Sequence, residues 1–357
     1  MNKRLLYIIL GTILIASCKR KNEACCQEKI ISEKNTISID FASNFDLIRT
    51  NVGYSLEILN PENGEVERSY SIQPDSAYKM ISLSATLNGM ISILNAQNSL
   101  VGIGDKNYIF DSKILANLEN GSTQSFGNET NISLEKIVAS KTNLLFYSGF
   151  GDAFPNEEKL TKLNISVIPI YDWRENHPLG KAEWIKVIGV ITGKEKEAND
   201  YFQMVTKEYE KIRSITDTIS QKPSVLAGSI FGDIWYAPGG KGYFAKLLED
   251  AGANYIYKYS ESSASQEFSM EKILNDNINT TYWINPTFPT LKALIKSNPN
   301  VKYLKAFKTN SYCYSHQMNK FWEQSAAMPH IVVKDLAQIF HPTVQLEKEL
   351  YFYKKLE

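Results

Sequence analysis

The chain has little of what reactive or redox chemistry requires. Only four of its 357 residues are cysteine and four are histidine. Cys18, Cys25, Cys26 and Cys313 include no C-x-x-C pair, so neither a zinc site of that type nor a disulfide framework is written into them. No histidine has a second at i+4 with a carboxylate between, which excludes a helix-borne zinc hydrolase. His177 and His341 each precede a proline, a placement at element edges, and His316 beside Tyr314 lies in a late loop. There is no G-x-S-x-G nucleophile elbow, and "GGKGYF" lacks the spacing of a phosphate loop. An excess of charge is also missing. The 39 basic and 39 acidic residues cancel, so no nucleic-acid partner is expected.

Long apolar runs are absent as well. The longest, Leu5 to Ala16, falls short of the ~20 residues of a membrane span. It follows Lys3 and Arg4 and ends in Ile15-Ala16-Ser17-Cys18, the order of an export signal with a bacterial lipobox. Residues 1–17 read as a signal peptide and Cys18 as the lipidated first residue, the alternative being an ordinary signal with an incidental cysteine. Residues 18–35, which hold Cys25 and Cys26, read as a polar tether.

What is present is alternation. Residues 36–72 carry short polar–apolar runs around the turn signal Asn60-Pro61-Glu62-Asn63-Gly64, which predicts a β-hairpin or small meander. From Lys79, apolar strands alternate with helical spacings: "KMISLS", "TLNGMISILNA", "LVGIG", "SLEKIVAS", "NLLFYSG", "NEEKLTKLN", "ISVIPIY". Strands of this kind fit a parallel sheet buried on both faces. "LGKAEWIKVIGVITG" reads as one helix ending at Gly193. The following stretch, with an apolar stripe through Ala198, Phe202, Val205, Tyr209 and Ile212, reads as a long one. After Pro223 the α/β pattern restarts. "ISLEKIVASKTNLLFYSG" and "FSMEKILNDNINTTYWINP" echo each other, which argues for a duplicated lobe. The predicted architecture is α/β, with two lobes on central parallel sheets joined by a single long helix. The divisions are 36–190 with the β extension, 191–220 for the interlobe helix and 221–357.

Four segments then carry a resemblance. "MISLSATLNGMISILNAQNSLVGIGD", "NHPLGKAEWIKVIGVITGKEKEA", "WYAPGGKGYFAKLLEDAGANYIY" and "FWEQSAAMPHIVVKDLAQIFHP" follow the order of the iron-siderophore/cobalamin class of periplasmic substrate-binding proteins, over Lys79 to Pro342. The resemblance implies a monomeric, non-enzymatic receptor, lipid-anchored in the periplasm and without a cofactor or metal site of its own. Such a receptor holds a metal chelate between its lobes and delivers it to the permease and ATPase of an ABC importer. An iron-siderophore complex is the first expectation, cobalamin or haem the next. An enzyme on the same scaffold and a structural lipoprotein without ligand are the rivals.

Flat metal complexes are held by aromatic faces with few hydrogen bonds, at the carboxyl ends of sheet strands. That singles out Tyr147, Phe150, Trp173 and Arg174 on the first lobe, and Trp235 and Tyr236 beside Pro238-Gly239-Gly240 on the second. Core packing is equally open to Trp235, and a solvated loop position to Arg174. In the family, a glutamate opening a short helix on each lobe meets the permease. The matching residues are Glu135 in "SLEKIV" and Glu271 in "SMEKIL", where the helix dipole alone also accounts for a carboxylate.

Overall fold

The computed structural model describes residues 36–357 except 75, 151–152, 315–319, 345 and 347–348. Cys18, Cys25, Cys26 and His316 lie outside the described residues. Among the described residues sixteen strands run in chain order: β1 Phe45–Thr50, β2 Gly53–Leu59, β3 Val66–Ile72, β4 Met80–Ser82, β5 Leu100–Ile103, β6 Gln124–Ser125, β7 Leu144–Tyr147, β8 Ser166–Pro169, β9 Ser224–Ala227, β10 Ser229–Phe231, β11 Ile234–Ala237, β12 Asn254–Tyr255, β13 Gln266–Ser269, β14 Tyr282–Ile284, β15 Ser311–Tyr314 and β16 Tyr353–Lys355. Two five-stranded sheets form the lobes, in the orders β6-β5-β4-β7-β8 and β12-β9-β14-β15-β16. Every pairing in them is parallel except β15 with β16. In each sheet the chain runs outward on one side of its first strand and then on the other. The crevice at that reversal, beyond the strand carboxyl ends, is where such sheets receive ligands.

The first lobe follows from its local signals. β4 is buried at every position. Ser84 then caps the helix Ala85–Ile93, accepting the Leu87 N–H, and that helix buries Leu87, Met90 and Ile91. The two echo segments fold alike. Ser133 caps Leu134–Ala139 and Ser269 caps Met270–Asn277, each accepting the N–H three residues on.

The meander is an antiparallel sheet, β1-β2-β3. β2 alternates strictly between buried and half-buried positions, so Tyr54, Leu56 and Ile58 face inward. Two buried carboxylates hold the chain that leads into it. Glu183 accepts the N–H groups of Asp40, Phe41 and Ala42 at 2.9, 2.7 and 2.8 Å. Glu175 accepts those of Ser43 and Asn44 at 2.8 and 3.2 Å. On the other side, Tyr70 donates to the Val167 carbonyl at 2.6 Å, so the meander covers β8 at the open edge of the sheet.

The expected helix from 179 to 193 is two helices, Pro178–Glu183 and Ile185–Ile191, separated at Trp184. Trp184 is fully buried and its indole donates to Glu175 at 3.0 Å. The long helix is Glu195–Asp217, and it buries the predicted stripe Ala198, Phe202, Val205, Tyr209 and Ile212. It is bolted to both lobes. Lys186 lies 4.6 Å over the Phe202 ring, and Tyr209 donates to the buried Asp250 at 2.8 Å. The segment from Phe321 onward does not stay with the second lobe alone. Gly89 lies so close to Glu323 that a Cβ would sit 1.9 Å from its carbonyl oxygen. The Glu323 carboxylate accepts the N–H groups of Phe110 and Asp111 at 2.9 and 3.3 Å.

Candidate functional site

A cavity of about 590 Å³ opens between the lobes, within the range of about 300–1,000 Å³ usual for small-molecule sites. Trp173, Arg174, Glu175 and Asn176, just after β8, line its first-lobe side. The second lobe contributes Gly228 and Ser229 after β9, Asn285 and Thr287 after β14, and Tyr314 at the end of β15. All follow strand carboxyl ends, as the reversal in each sheet requires.

Alternation in β11 decides between the two aromatics that head the glycine turn. Its burial runs exposed, buried, exposed, buried, so Trp235 points in and Tyr236 points out. Trp235 is therefore core. Its indole N–H donates to the Ala227 carbonyl at 3.2 Å and its ring lies 5.0 Å from that of Trp283. Trp283 in turn donates to the Gly228 carbonyl at 2.8 Å. The two tryptophans thus fix the β9–β10 bend, where Gly228 has φ +101° and a Cβ would meet the Tyr236 carbonyl at 2.0 Å. Tyr236 lines the cavity and is 39% exposed. The glycine turn has a packing duty too: a Cβ on Gly239 would sit 2.3 Å from the Ser262 carbonyl. The loop so admitted brings Ser263, Ala264 and Ser265 to the cleft.

On the first lobe, Tyr147 is buried against Phe154, ring centres 5.1 Å apart, and does not line the cavity. It belongs to the layer under the sheet with Ile81, Leu145 and Val167. Trp173 lines the cavity with its indole N–H tied to the Ser148 carbonyl at 2.7 Å. Phe150 is 69% exposed and packs on Trp173 at 4.8 Å, extending that wall outward. Arg174 stacks 5.3 Å from the Trp173 ring and forms an ion pair with Glu62 of the meander.

Several lining residues were missed from the sequence. Phe231 at the tip of the β10–β11 hairpin is 77% exposed and Trp322 is 40% exposed, and both face the cavity. Tyr314 stacks on Phe321 at 5.3 Å and meets Trp322 edge-on, which sets the Trp322 ring. Asn285 and Thr287 flank Pro286 with φ of +59° and +57°, an unusual strain for a β-branched residue and of the kind that gathers at ligand sites. Aromatic rings from both lobes therefore ring one cavity, while among the described residues Arg174 and Glu175 are its only charged lining residues.

Two of the described histidines serve structure. His177 caps a helix by accepting the Leu179 N–H at 3.1 Å, and His341 meets the Gly252 carbonyl at 3.1 Å. Burial pushes the His330 imidazole down to about 4 and the Cys313 thiol up to about 12, which leaves neither ionised at neutral pH. Glu135 and Glu271 are exposed, each two residues past a serine cap. The Ser133 hydroxyl, donating at 2.7 Å, holds the Glu135 carboxyl below its usual range. A helix that feeds a parallel strand starts on the side of the strand carboxyl ends, so both glutamates lie on the cleft side of their lobes.

Comparisons with known proteins agree with this geometry. A family model described as periplasmic binding protein matches residues 81–316. Two Methanocaldococcus jannaschii lipoproteins of uncharacterized function are similar. One is 27% identical over 277 residues, 74% of this chain and 70% of the relative. The other is 25% identical over 289 residues, 78% and 68%. Solved structures share the fold. A periplasmic binding protein from Veillonella parvula aligns with a TM-score of 0.64 at 14% identity, over 82% of this chain and 99% of that one. The periplasmic heme-binding protein of Vibrio cholerae gives 0.60 at 15%, over 75% and 100%. An Fe3+-hydroxamate transport protein from Saccharomonospora viridis gives 0.60 at 17%, over 80% and 98%. With the matched segment running from β4 through β15, the chain belongs to the periplasmic binding protein family.

Proposed function

We propose that the protein is the solute receptor of an ABC importer and that its cleft takes a metal chelate, an iron-siderophore complex first and haem or cobalamin next. The observation that carries this is the ring of aromatic faces from both lobes around a cavity with, among the described residues, a single cation: Trp173, Phe231, Tyr236 and Trp322 with Arg174. Such walls suit a rigid, largely apolar complex with an anionic edge, which the guanidinium can pair. Among the described residues no three His, Cys, Asp or Glu side chains converge. Proteins of the same fold are named for binding heme and for Fe3+-hydroxamate transport, which supports the ligand class. No bond-making step is assigned to the cleft. The long helix, pinned to both lobes, favours a small closing motion.

Glu135 and Glu271, exposed and on the cleft side of their lobes, would meet cationic residues on the permease. Relatives named as lipoproteins support an exported, lipid-anchored location with Cys18 as the attachment point. No described helix is long and apolar enough to cross a membrane. Cys18→Ala should move the protein from the membrane fraction to the soluble one. The ligand class is tested by titrating the purified protein with haemin, a ferric hydroxamate and cyanocobalamin while following tryptophan emission. Saturable quenching by one class is expected, and no response to all three would overturn the proposal.

A further inference from the structure

The meander lies outside the segment that matches the family, yet it reaches the cleft. Its β2–β3 turn is stiffened from within. Asn60 accepts the Gly64 N–H at 2.8 Å on its carbonyl and the Glu62 N–H at 2.8 Å on its side chain, and Asn63 accepts the Glu65 N–H at 3.0 Å. The flanking strand is pinned to the first lobe beside that turn. Arg68 pairs with Glu157, and the Tyr171 hydroxyl donates to Glu67 at 3.1 Å, two residues before Trp173. The turn therefore delivers Glu62 to one place, the guanidinium of Arg174.

Among the described residues Arg174 is the only cation that lines the cavity, and it lies over the Trp173 ring. Whatever pairs with it sets the charge of the cleft mouth. We propose that Glu62 is a carboxylate latch: it occupies Arg174 in the empty receptor, and an anionic group on the ligand displaces it. This rests on the reading of the cleft as a chelate site and adds a determinant of selectivity from outside the family segment. The side-chain exposures, 76% for Glu62 and 27% for Arg174, make the latch weak. Exposed pairs of this kind contribute little, so release changes affinity by a factor of about two to five. Small free anions gain too little from Arg174 alone to open it. A ligand that also covers Trp173 and Tyr236 gains enough.

Glu62→Gln keeps the turn and removes the charge. Binding of haemin, which carries two carboxylates, should tighten by a factor of about two to five, while binding of a neutral ferric hydroxamate stays as in the wild type. In an Arg174→Gln background, Glu62→Gln should have no effect on haemin. Equal tightening of both ligands, or none with Arg174 intact, overturns the latch. Hydrogen exchange of the ligand-free protein decides independently of chelate binding. Glu62→Gln should speed exchange in residues 60–65 and 172–175 together, and unchanged exchange in both segments also overturns it. If no chelate binds any form while the two segments loosen together, the latch stands and the ligand class fails.

Discussion

Replacing Glu175 by Gln should destabilise the protein by about 2–4 kcal/mol and weaken ligand binding. The side chain is 1% exposed. One carboxylate oxygen accepts the Ser43 N–H and hydroxyl at 2.8 and 3.1 Å; the other accepts the Asn44 N–H and the Trp184 indole at 3.2 and 3.0 Å. Glutamine keeps one acceptor oxygen, so two donors lose their partner and face an amide NH2. Each buried, unsatisfied donor costs about 1–3 kcal/mol. Removing the charge returns part of that, because burial already pushes the Glu175 carboxyl above its usual range. Glu175 adjoins Trp173 and Arg174, so the loop that forms one cleft wall loosens as well. Urea unfolding followed by tryptophan emission gives the stability change, with the exposed Glu119→Gln as control. A Glu175→Gln protein as stable as the control would refute the role given to this carboxylate.

Tyr236→Ala should weaken chelate binding by about 1–3 kcal/mol with normal stability, as for a stacked contact. Trp235→Ala should instead cost about 3–5 kcal/mol of stability, a cavity in the core; calorimetry and thermal unfolding separate the two, and the reverse pattern would reassign both. Burial pushes the Glu323 carboxyl up to about 7, above the ~4.3 of a free glutamate. The unfolded chain then releases this proton at lower pH than the folded one. The contribution is full below ~4.3 and is lost as pH rises through about 7, at ~1.4 kcal/mol per pH unit between. Unfolding curves across that window should slope accordingly, and Glu323→Gln should flatten them; an unchanged slope would contradict this. The double variant Glu135→Ala, Glu271→Ala should bind ligand normally but transport it poorly, and normal uptake would sink the docking role.

Much of the architecture is legible in the sequence because burial imposes a period. β4, β7 and β9 are short apolar runs, and the stripe on Glu195–Asp217 follows helical spacing. Segments whose facing is set by tertiary contacts are not. Ile234–Ala237 is apolar throughout, so nothing in "IWYA" reveals that alternate residues face opposite sides, and Trp235 and Tyr236 are separated only by the strand. The site is harder still. Tyr314, Trp322, Asn285 and Thr287 come together because parallel strands bring distant loops to one edge, and no local pattern marks them. Trp173 and Arg174 could be singled out because they follow β8 directly. The Glu62 that pairs with Arg174 could not, since the meander is placed by buried carboxylates on other elements.

The central claim is that a metal chelate sits between the lobes, and anomalous X-ray scattering at the iron edge tests it most directly. Crystals soaked with haemin or a ferric hydroxamate should show one iron peak between the Trp173–Arg174 loop and the β10–β11 hairpin, within contact of Tyr236 or Trp322. An iron peak elsewhere, on the meander or the long helix, or none with either compound, would contradict it.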